Sequence, residues 1–137
     1  MDQMRPSLLP NLVEAVRRNS DKGFSDAALF EVGPVFISVK TDGQMLVAGG
    51  VRSGNAGPRH WSGDNASRKV DTFDSKADAL AVLAACGAPV DSLQTTRDAP
   101  EWYHPGRSGV LRLGPNILAT FGEMTQQPYT DLCRSRI

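Results

Sequence analysis

The sequence has little cysteine and no clustered metal ligands. Cys86 and Cys133 lie far apart, and neither has a second cysteine or a histidine at ligand spacing. A disulfide framework and a zinc site both need such spacing, so neither is expected. Reduced thiols are instead typical of a cytosolic protein. Three aspartates do not change this, because a helix cap with solvated neighbours accounts for Asp71, Asp74 and Asp78.

An excess of charge of either sign is also absent, as is any long apolar run. Lys and Arg number 15, Asp and Glu also number 15, and the formal net charge is +0. A dedicated nucleic-acid surface usually shows as a basic excess. No apolar run approaches the ~20 residues of a transmembrane helix. Residues 1–10 lack the pattern of a signal peptide. The sequence therefore predicts a cytoplasmic protein with no membrane partner.

The apolar content that is present suits one folded domain. The 137 residues are 40% hydrophobic, which is enough for a single core of ordinary size. Apolar residues near the N-terminus recur at helical spacing and predict an amphipathic helix. They are Leu8, Leu9, Leu12, Val13 and Val16. Ser7 is the predicted N-cap, and Pro10 falls in the first turn, where its missing N–H has no cost.

Two β-hairpins and a second helix are predicted further along the chain. The predicted strands are 29–38, 45–52, 93–97, 110–113 and 117–121. Asp74 is the expected N-cap of a helix over residues 75–86, which Gly87 ends. Because hairpins imply antiparallel pairing, the predicted fold class is α+β, with an antiparallel sheet flanked by helices.

A polar loop is predicted between the first hairpin and the second helix. It covers residues 53–68, and loops of this length are usually functional or mobile. Trp61 is expected to anchor the loop by burying its indole. The alternative is contact with a single-stranded nucleic acid through Arg59, Trp61 and Arg68, since stacking and positive charge together hold single strands.

Glu31 is the one charged residue in the run LFEVGPVF of the first predicted strand. A carboxylate among apolar neighbours needs a partner, such as an arginine or a backbone N–H. Arg5 is the predicted partner, and the pair would fix the strand. The alternative is a contact between Glu31 and a ligand.

His104 stands beside an arginine and a serine in the run WYHPGRS, an arrangement that invites a nucleophilic interpretation. His104 and Ser108 flank a Pro-Gly pair, however, and no nearby acid orients the imidazole. His104 and Pro105 are therefore predicted to fix a turn, and Arg107 to pair with an acid across the fold or at a subunit contact. A small hydrolase using His104 and Ser108 stays a further hypothesis, which requires turnover that His104→Ala abolishes.

Five segments occur in an order and at a spacing that form a family pattern. They are MRPSLLPNLVEAVRRN, LFEVGPVF, VDTFDSKADALAVLAACG, WYHPGRSGVLRLG and FGE. Together they resemble the β subunit of bacterial phenylalanyl-tRNA synthetase. The resemblance implies the catalytic-like module of that subunit, built on the class II synthetase fold. It also implies an incomplete domain over residues 1–123 and a divergent tail over 124–137.

The resemblance implies a structural role beside a catalytic α subunit. Working class II synthetases carry a similar phrase, F-E-I-G-x-x-F-R-x-E, whose arginine neutralises the α-phosphate of ATP. In this sequence Ile37 stands at the arginine position and Val39 at the final glutamate position. Neither side chain can stabilise a developing anion, and no glycine-rich phosphate loop occurs elsewhere. The chain is thus expected to hold no catalytic, cofactor-binding or metal-binding residue, whereas the intact enzyme would use ATP and magnesium.

The resulting hypothesis is a non-catalytic fragment of the phenylalanine–tRNA ligase β subunit. Its partners would be the α subunit and the rest of the β subunit, with tRNA bound through the whole enzyme. The expected structural or subunit-interface residues are Arg5, Ser7, Glu31, Gly33, His104, Pro105 and Arg107. The alternative is a stand-alone binding module for a small ligand or RNA, which a pocket rimmed by Arg52, Arg59 and His60 would favour. Marginal solubility alone is expected, because missing strands would expose an open edge.

Overall fold

The computed structural model describes residues 4–57, 61 and 68–125. The chain divides into two compact units, residues 1–70 and 71–137. The described residues form two α-helices and two antiparallel sheets, one of two strands and one of three. The predicted α+β class is confirmed, but the strands form two sheets in this part of the chain rather than the single sheet expected. None of the described helices has the length and hydropathy needed to cross a membrane.

The first unit packs one helix against a two-stranded hairpin. Its elements are α1 (Leu9–Asp21), β1 (Ala27–Phe36) and β2 (Gln44–Ser53). A 3-10 turn over Thr41–Gly43 joins the strands, which pair antiparallel along their whole length. The first predicted hairpin is therefore confirmed, although β1 begins and ends two residues earlier than the sequence suggested.

The apolar stripe of α1 forms the core of this unit. Leu8 and Leu12 are buried together with Val35 of β1, and three partly buried residues pack against them. These are Leu29, Val47 and Val51. Gly49 of β2 faces this core, where a Cβ would make an ordinary contact with the Cβ of Leu8 at 3.4 Å. The burial of each leucine stabilises the unit by ~1.5–3 kcal/mol.

The start of α1 differs from the prediction by one residue. Leu8 occupies the N-cap position with helical φ and ψ of −82° and −23°, so the prediction that Ser7 is the N-cap is wrong. The hydroxyl of Ser7 still accepts a hydrogen bond from the N–H of Leu9 at 3.2 Å. It therefore satisfies one of the free amides of the first turn. Pro10 lies in that turn, as predicted.

The second unit packs one helix against a three-stranded sheet in the order β3-β4-β5. Its elements are α2 (Thr72–Ala85), β3 (Gln94–Thr96), β4 (Tyr103–Leu113) and β5 (Asn116–Met124). The buried residues lie on the last two strands: Tyr103, Val110, Leu111 and Phe121. The second predicted hairpin is confirmed. Residues 126–137 of the predicted tail lie outside the described residues.

The second helix begins three residues before its predicted start, because Asp71 rather than Asp74 is the N-cap. The carboxylate of Asp71 accepts hydrogen bonds from the N–H groups of Phe73 at 2.9 Å and Asp74 at 3.1 Å. The carboxylate of Asp74 accepts in return from the N–H of Asp71 at 2.9 Å. This reciprocal pair of contacts is a capping box, in which Asp71 and Asp74 each accept a hydrogen bond from the backbone N–H of the other. The prediction of an N-cap at Asp74 is therefore wrong: it is the third helical residue.

Candidate functional site

The first candidate site is formed by Arg5, Glu31 and Gly33 on the helix-facing side of β1. Arg5 Nη1 donates to Glu31 Oε1 at 2.5 Å, and Arg5 Nε donates to the carbonyl of Pro34 at 3.1 Å. A Cβ at Gly33 would overlap the Arg5 guanidinium, so the glycine leaves the space in which that side chain crosses the strand. The structure thus contains the ion pair that the lone charge of β1 predicted.

This cluster fastens the segment before α1 to the hairpin. Besides its side-chain bonds, Arg5 accepts a backbone hydrogen bond from the N–H of Phe36 at 2.9 Å. The Arg5 and Glu31 side chains are 28% and 33% exposed, so solvent screens their attraction, which contributes at most ~1 kcal/mol. The geometry is that of a structural clasp, because the guanidinium is engaged by a carboxylate and a carbonyl. Its role at a subunit interface stays a prediction.

The two positions that would carry catalytic charge lie just beyond the end of β1. Ile37 and Val39 are both exposed. The N–H of Ile37 donates to the carbonyl of Gly43 at 2.8 Å, which closes the tip of the hairpin through its backbone. Exposed aliphatic side chains offer a nucleotide neither positive charge nor a hydrogen-bond partner. Within the described residues, no three His, Cys, Asp or Glu side chains are grouped as metal ligands.

The face of the hairpin opposite α1 carries a continuous set of apolar residues, here called the outer face. It comprises Phe30, Val32 and Pro34 of β1 opposite Gly50, Ala48 and Leu46 of β2, with Phe36 opposite Gln44 at one end and Ala28 opposite Arg52 at the other. Phe30 is 83% exposed and Leu46 is 73% exposed. Contiguous exposed apolar surface of this kind marks interaction sites in soluble proteins.

The run WYHPGRS lies largely inside β4, so the prediction that His104 and Pro105 lie in a turn is corrected. The register passes from Tyr103↔Met124 directly to Ser108↔Gly122, which leaves residues 104–107 opposite one residue of β5. Such an irregularity accommodates Pro105, whose missing N–H could not serve a regular ladder. The strand assignment of β4 continues through this irregularity from Tyr103 to Leu113.

The histidine and serine of this run bond to the backbone rather than to each other. His104 Nδ1 accepts a hydrogen bond from the N–H of Gly106 at 3.1 Å, and Ser108 Oγ donates to the carbonyl of His104 at 2.7 Å. A nucleophilic serine needs its hydroxyl proton directed at a base. The bonds present instead hold the irregular stretch of β4 in shape and give the hydrolase hypothesis no geometric support.

Arg107 pairs with an acid across the second hairpin, one of the two possibilities considered for it. Its Nε lies 2.7 Å from Glu123 Oε2, and both side chains are about half exposed. The carbonyl of Arg107 also accepts a hydrogen bond from Thr72 Oγ1 at 3.2 Å, which ties the start of α2 to β4. The residue therefore joins three elements of the second unit.

The expectation that Trp61 anchors its loop by burial is wrong, because the side chain is 98% exposed. Burial of a loop aromatic requires a concave apolar surface from distant parts of the chain, which local sequence does not reveal. Arg59 and His60 lie outside the described residues. Arg52 lines an open cleft of about 180 Å³ together with Asp26 and Asn55. Ligand pockets usually measure ~300–1,000 Å³, so this cleft is small.

Asp26 is a structurally important residue that the sequence interpretation missed. Its Oδ1 accepts from the N–H of Asn55 at 2.9 Å, and its Oδ2 accepts from Asn55 Nδ2 at 3.2 Å. These two bonds, with a smaller contribution from the charge of Lys69, lower the pKa of the Asp26 carboxyl. A signal was available, because Asp26 precedes β1 and Asn55 follows its antiparallel partner β2.

Together the fold and the sites define an α+β protein whose described residues contain structural clasps and an exposed apolar sheet face. Residues 1–131 match the family model described as phenylalanyl tRNA synthetase beta chain CLM domain. The chain belongs to this family, which confirms the resemblance inferred from the sequence.

Curated relatives carry the name phenylalanine–tRNA ligase beta subunit. The relative from Rhodospirillum rubrum is 53% identical over 124 residues, and the one from Brucella abortus is 55% identical over 128 residues. Each alignment covers 90% of this chain but only 15% or 16% of the relative. The chain therefore spans about one sixth of the length of the curated relatives it matches.

Proposed function

We propose that this chain is a structural, non-catalytic part of a phenylalanine–tRNA ligase β subunit. The observation that carries the proposal is the outer face of the first hairpin, where Phe30 is 83% exposed beside further apolar residues. Family membership supports the assignment to this ligase, since the relatives are named as its β subunits. The aliphatic residues Ile37 and Val39 support the lack of catalysis.

The proposed partners are the ligase α subunit and the rest of the β subunit. Removal of Phe30, Val32 and Leu46 from water would contribute ~1.5–3 kcal/mol for each side chain that becomes fully buried. The centre of this face is apolar, with Arg52 and Gln44 only at its two ends, and such a surface favours an apolar partner surface. ATP, magnesium and tRNA would act in the intact cytoplasmic enzyme, with none of them held by this chain alone.

Co-purification tests this proposal. The 137-residue chain would be co-expressed with a tagged α subunit and, separately, with the tagged remainder of the β subunit. We expect at least one of them to retain the chain, and Phe30→Glu to abolish the retention because it places a charge in the contact. Val39→Glu is the matched control, since Val39 is equally exposed but lies beyond the outer face.

Retention that Phe30→Glu leaves intact would contradict a docking role for the outer face. Failure of both tagged partners to retain the unsubstituted chain would contradict the proposal as a whole.

A stand-alone module for a small ligand or RNA is the second candidate function. The observation that favours it is the exposed Trp61, since aromatic side chains stack on unpaired bases. Fluorescence titration with single-stranded RNA tests it. Trp61→Phe should retain part of the affinity and Trp61→Ala should lose it, whereas equal affinities for all three proteins would reject stacking.

A further inference from the structure

Backbone contacts hold together the two ends of the segment that joins β2 to α2. These ends, residues 54–56 and 68–70, are here called the base. The N–H of Ala56 donates to the carbonyl of Arg68 at 2.8 Å, and the N–H of Val70 donates to the carbonyl of Gly54 at 3.0 Å. Between them, Asn55 and Lys69 form an isolated antiparallel bridge. The chain therefore departs from the hairpin and returns to it within a few residues of the end of β2.

The two residues that precede β1, Ser25 and Asp26, form hydrogen bonds at or beside this base. Asp26 accepts both the backbone and the side-chain hydrogen bond of Asn55, as described above. Ser53 Oγ donates to the carbonyl of Ser25 at 3.0 Å. Gly54 has a φ of +80°, and a Cβ there would overlap the Asp26 carboxylate. The backbone of Gly54 therefore packs directly against Asp26, the residue that precedes β1.

The charge of Asp26 gives these contacts a strength that the exposed backbone bonds lack. Hydrogen bonds to an ionised acceptor are roughly twice as strong as neutral ones. Lys69, which bridges to Asn55, also attracts the carboxylate. By contrast, backbone bonds at an exposed strand end open readily, because few buried contacts oppose their opening.

We propose that Asp26 is a positioning residue, a latch that holds this base closed and so fixes the point from which the segment carrying Trp61 departs. The inference is independent of the proposed function. The latch is the Asp26 carboxylate. Its two oxygens accept hydrogen bonds from Asn55, and the charge of Lys69 attracts it. The competing explanation is that hairpin pairing alone holds the base.

Amide-resolved hydrogen exchange of the 137-residue chain separates these explanations. With Asp26→Asn, we expect the amides of Ala56 and Val70 to exchange several-fold faster, because the base opens more often. Amides in the middle of β1 and β2 should keep their rates. Asp42→Asn is the matched control, since it removes the same charge at the opposite end of the same hairpin and should change none of these rates.

A reversed pair tests whether the contact itself is responsible. Asp26→Asn combined with Asn55→Asp keeps a carboxylate beside Lys69 and restores a side-chain hydrogen bond, so exchange at Ala56 and Val70 should slow again. Should Asp26→Asn fail to fold, Asn55→Ala decides, because it removes the side-chain bond and leaves the backbone bond. Unchanged exchange at Ala56 and Val70, or equal acceleration through the whole hairpin, would overturn the latch.

Discussion

The two hairpins of this chain differ in how much of their apolar surface they cover. In the second unit, Val110 and Leu111 are essentially inaccessible to solvent, and Phe121 is buried beside them. In the first unit, one face of β1 and β2 packs on α1, whereas Phe30, Val32 and Leu46 on the other face remain exposed. The strands of both hairpins are rich in apolar residues, so strand composition does not explain the difference.

Among the described residues, different elements pack around the two hairpins. The second hairpin has β3 beside β4 and helix α2 against β5. In the part of the chain that the structure describes, α1 packs on the first hairpin and covers a single face. An antiparallel pair with apolar residues on both faces needs cover on both. The comparison supports the proposal that the outer face is an interaction surface, because this face exposes apolar residues whereas the second hairpin buries several of its own.

The largest expected effect comes from a pair of leucine truncations that contrast the two hairpins. Leu111→Ala should destabilise the second unit by ~2–5 kcal/mol, because it leaves a cavity at a side chain that is 1% exposed. Leu46→Ala, at a side chain 73% exposed, should stay within about 0.5 kcal/mol. Denaturant titration measures both. Equal losses would mean that the outer face is covered in the isolated chain.

A glycine substitution tests the clasp on the covered face of the first hairpin. Gly33→Ala should destabilise the first unit by about 1 kcal/mol, because the new methyl group displaces the flexible end of the Arg5 side chain from a part-exposed ion pair of that strength. Gly57→Ala is the control, since a Cβ there would meet nothing within 4 Å. Thermal melts compare the two variants. A Gly33→Ala protein as stable as the control would show that Arg5 moves aside without loss.

Acid should weaken the first unit through Asp26. The pKa of this carboxyl is lower in the folded chain, so its contribution is present above the ordinary aspartate pKa of ~3.9 and disappears as the pH falls through the folded value. Stability of the first unit followed from pH 6 downwards should therefore decline, and Asp26→Asn should flatten part of that decline. Parallel curves for both proteins would contradict this assignment.

The smallest expected effect is none at all, at the tip of the first hairpin. Ile37→Arg combined with Val39→Glu restores both charged residues of the catalytic phrase, yet we expect no ATP–pyrophosphate exchange from the chain with phenylalanine. Transition-state stabilisation requires several charges held together, and the described residues supply no other part of such a site. Exchange above that of the unsubstituted chain would contradict a purely structural role.

Much of the fold could be predicted because it depends on short-range patterns. Helical spacing of leucines identified α1, and turn residues between apolar runs identified both hairpins. The lone charge of β1 correctly pointed to Arg5 as the partner of Glu31. The sequence interpretation misplaced both helix caps. The N-caps are Leu8 and Asp71, whereas the predicted residues were Ser7, one position earlier, and Asp74, three positions later. The interpretation also took Pro105 for the centre of a turn, although an irregular strand accommodates proline.

The candidate sites were harder to predict, because they depend on register and on contacts between distant residues. Asp26 and Asn55 become partners only when β1 and β2 pair as they do. The exposure of Trp61 depends on surfaces that no local pattern specifies. Arg107 could have faced any acid, and the pairing of β4 with β5 selects Glu123.

The sequence by itself determined the α+β class and the family, because each of these depends only on which residues occur and at what spacing. Only the tertiary structure decided which apolar residues are covered. Phe30 and Val35 belong to the same strand, yet α1 covers the face that carries Val35 and leaves the face that carries Phe30 exposed. Burial requires a second element at the right place, and the sequence of one strand does not contain that information.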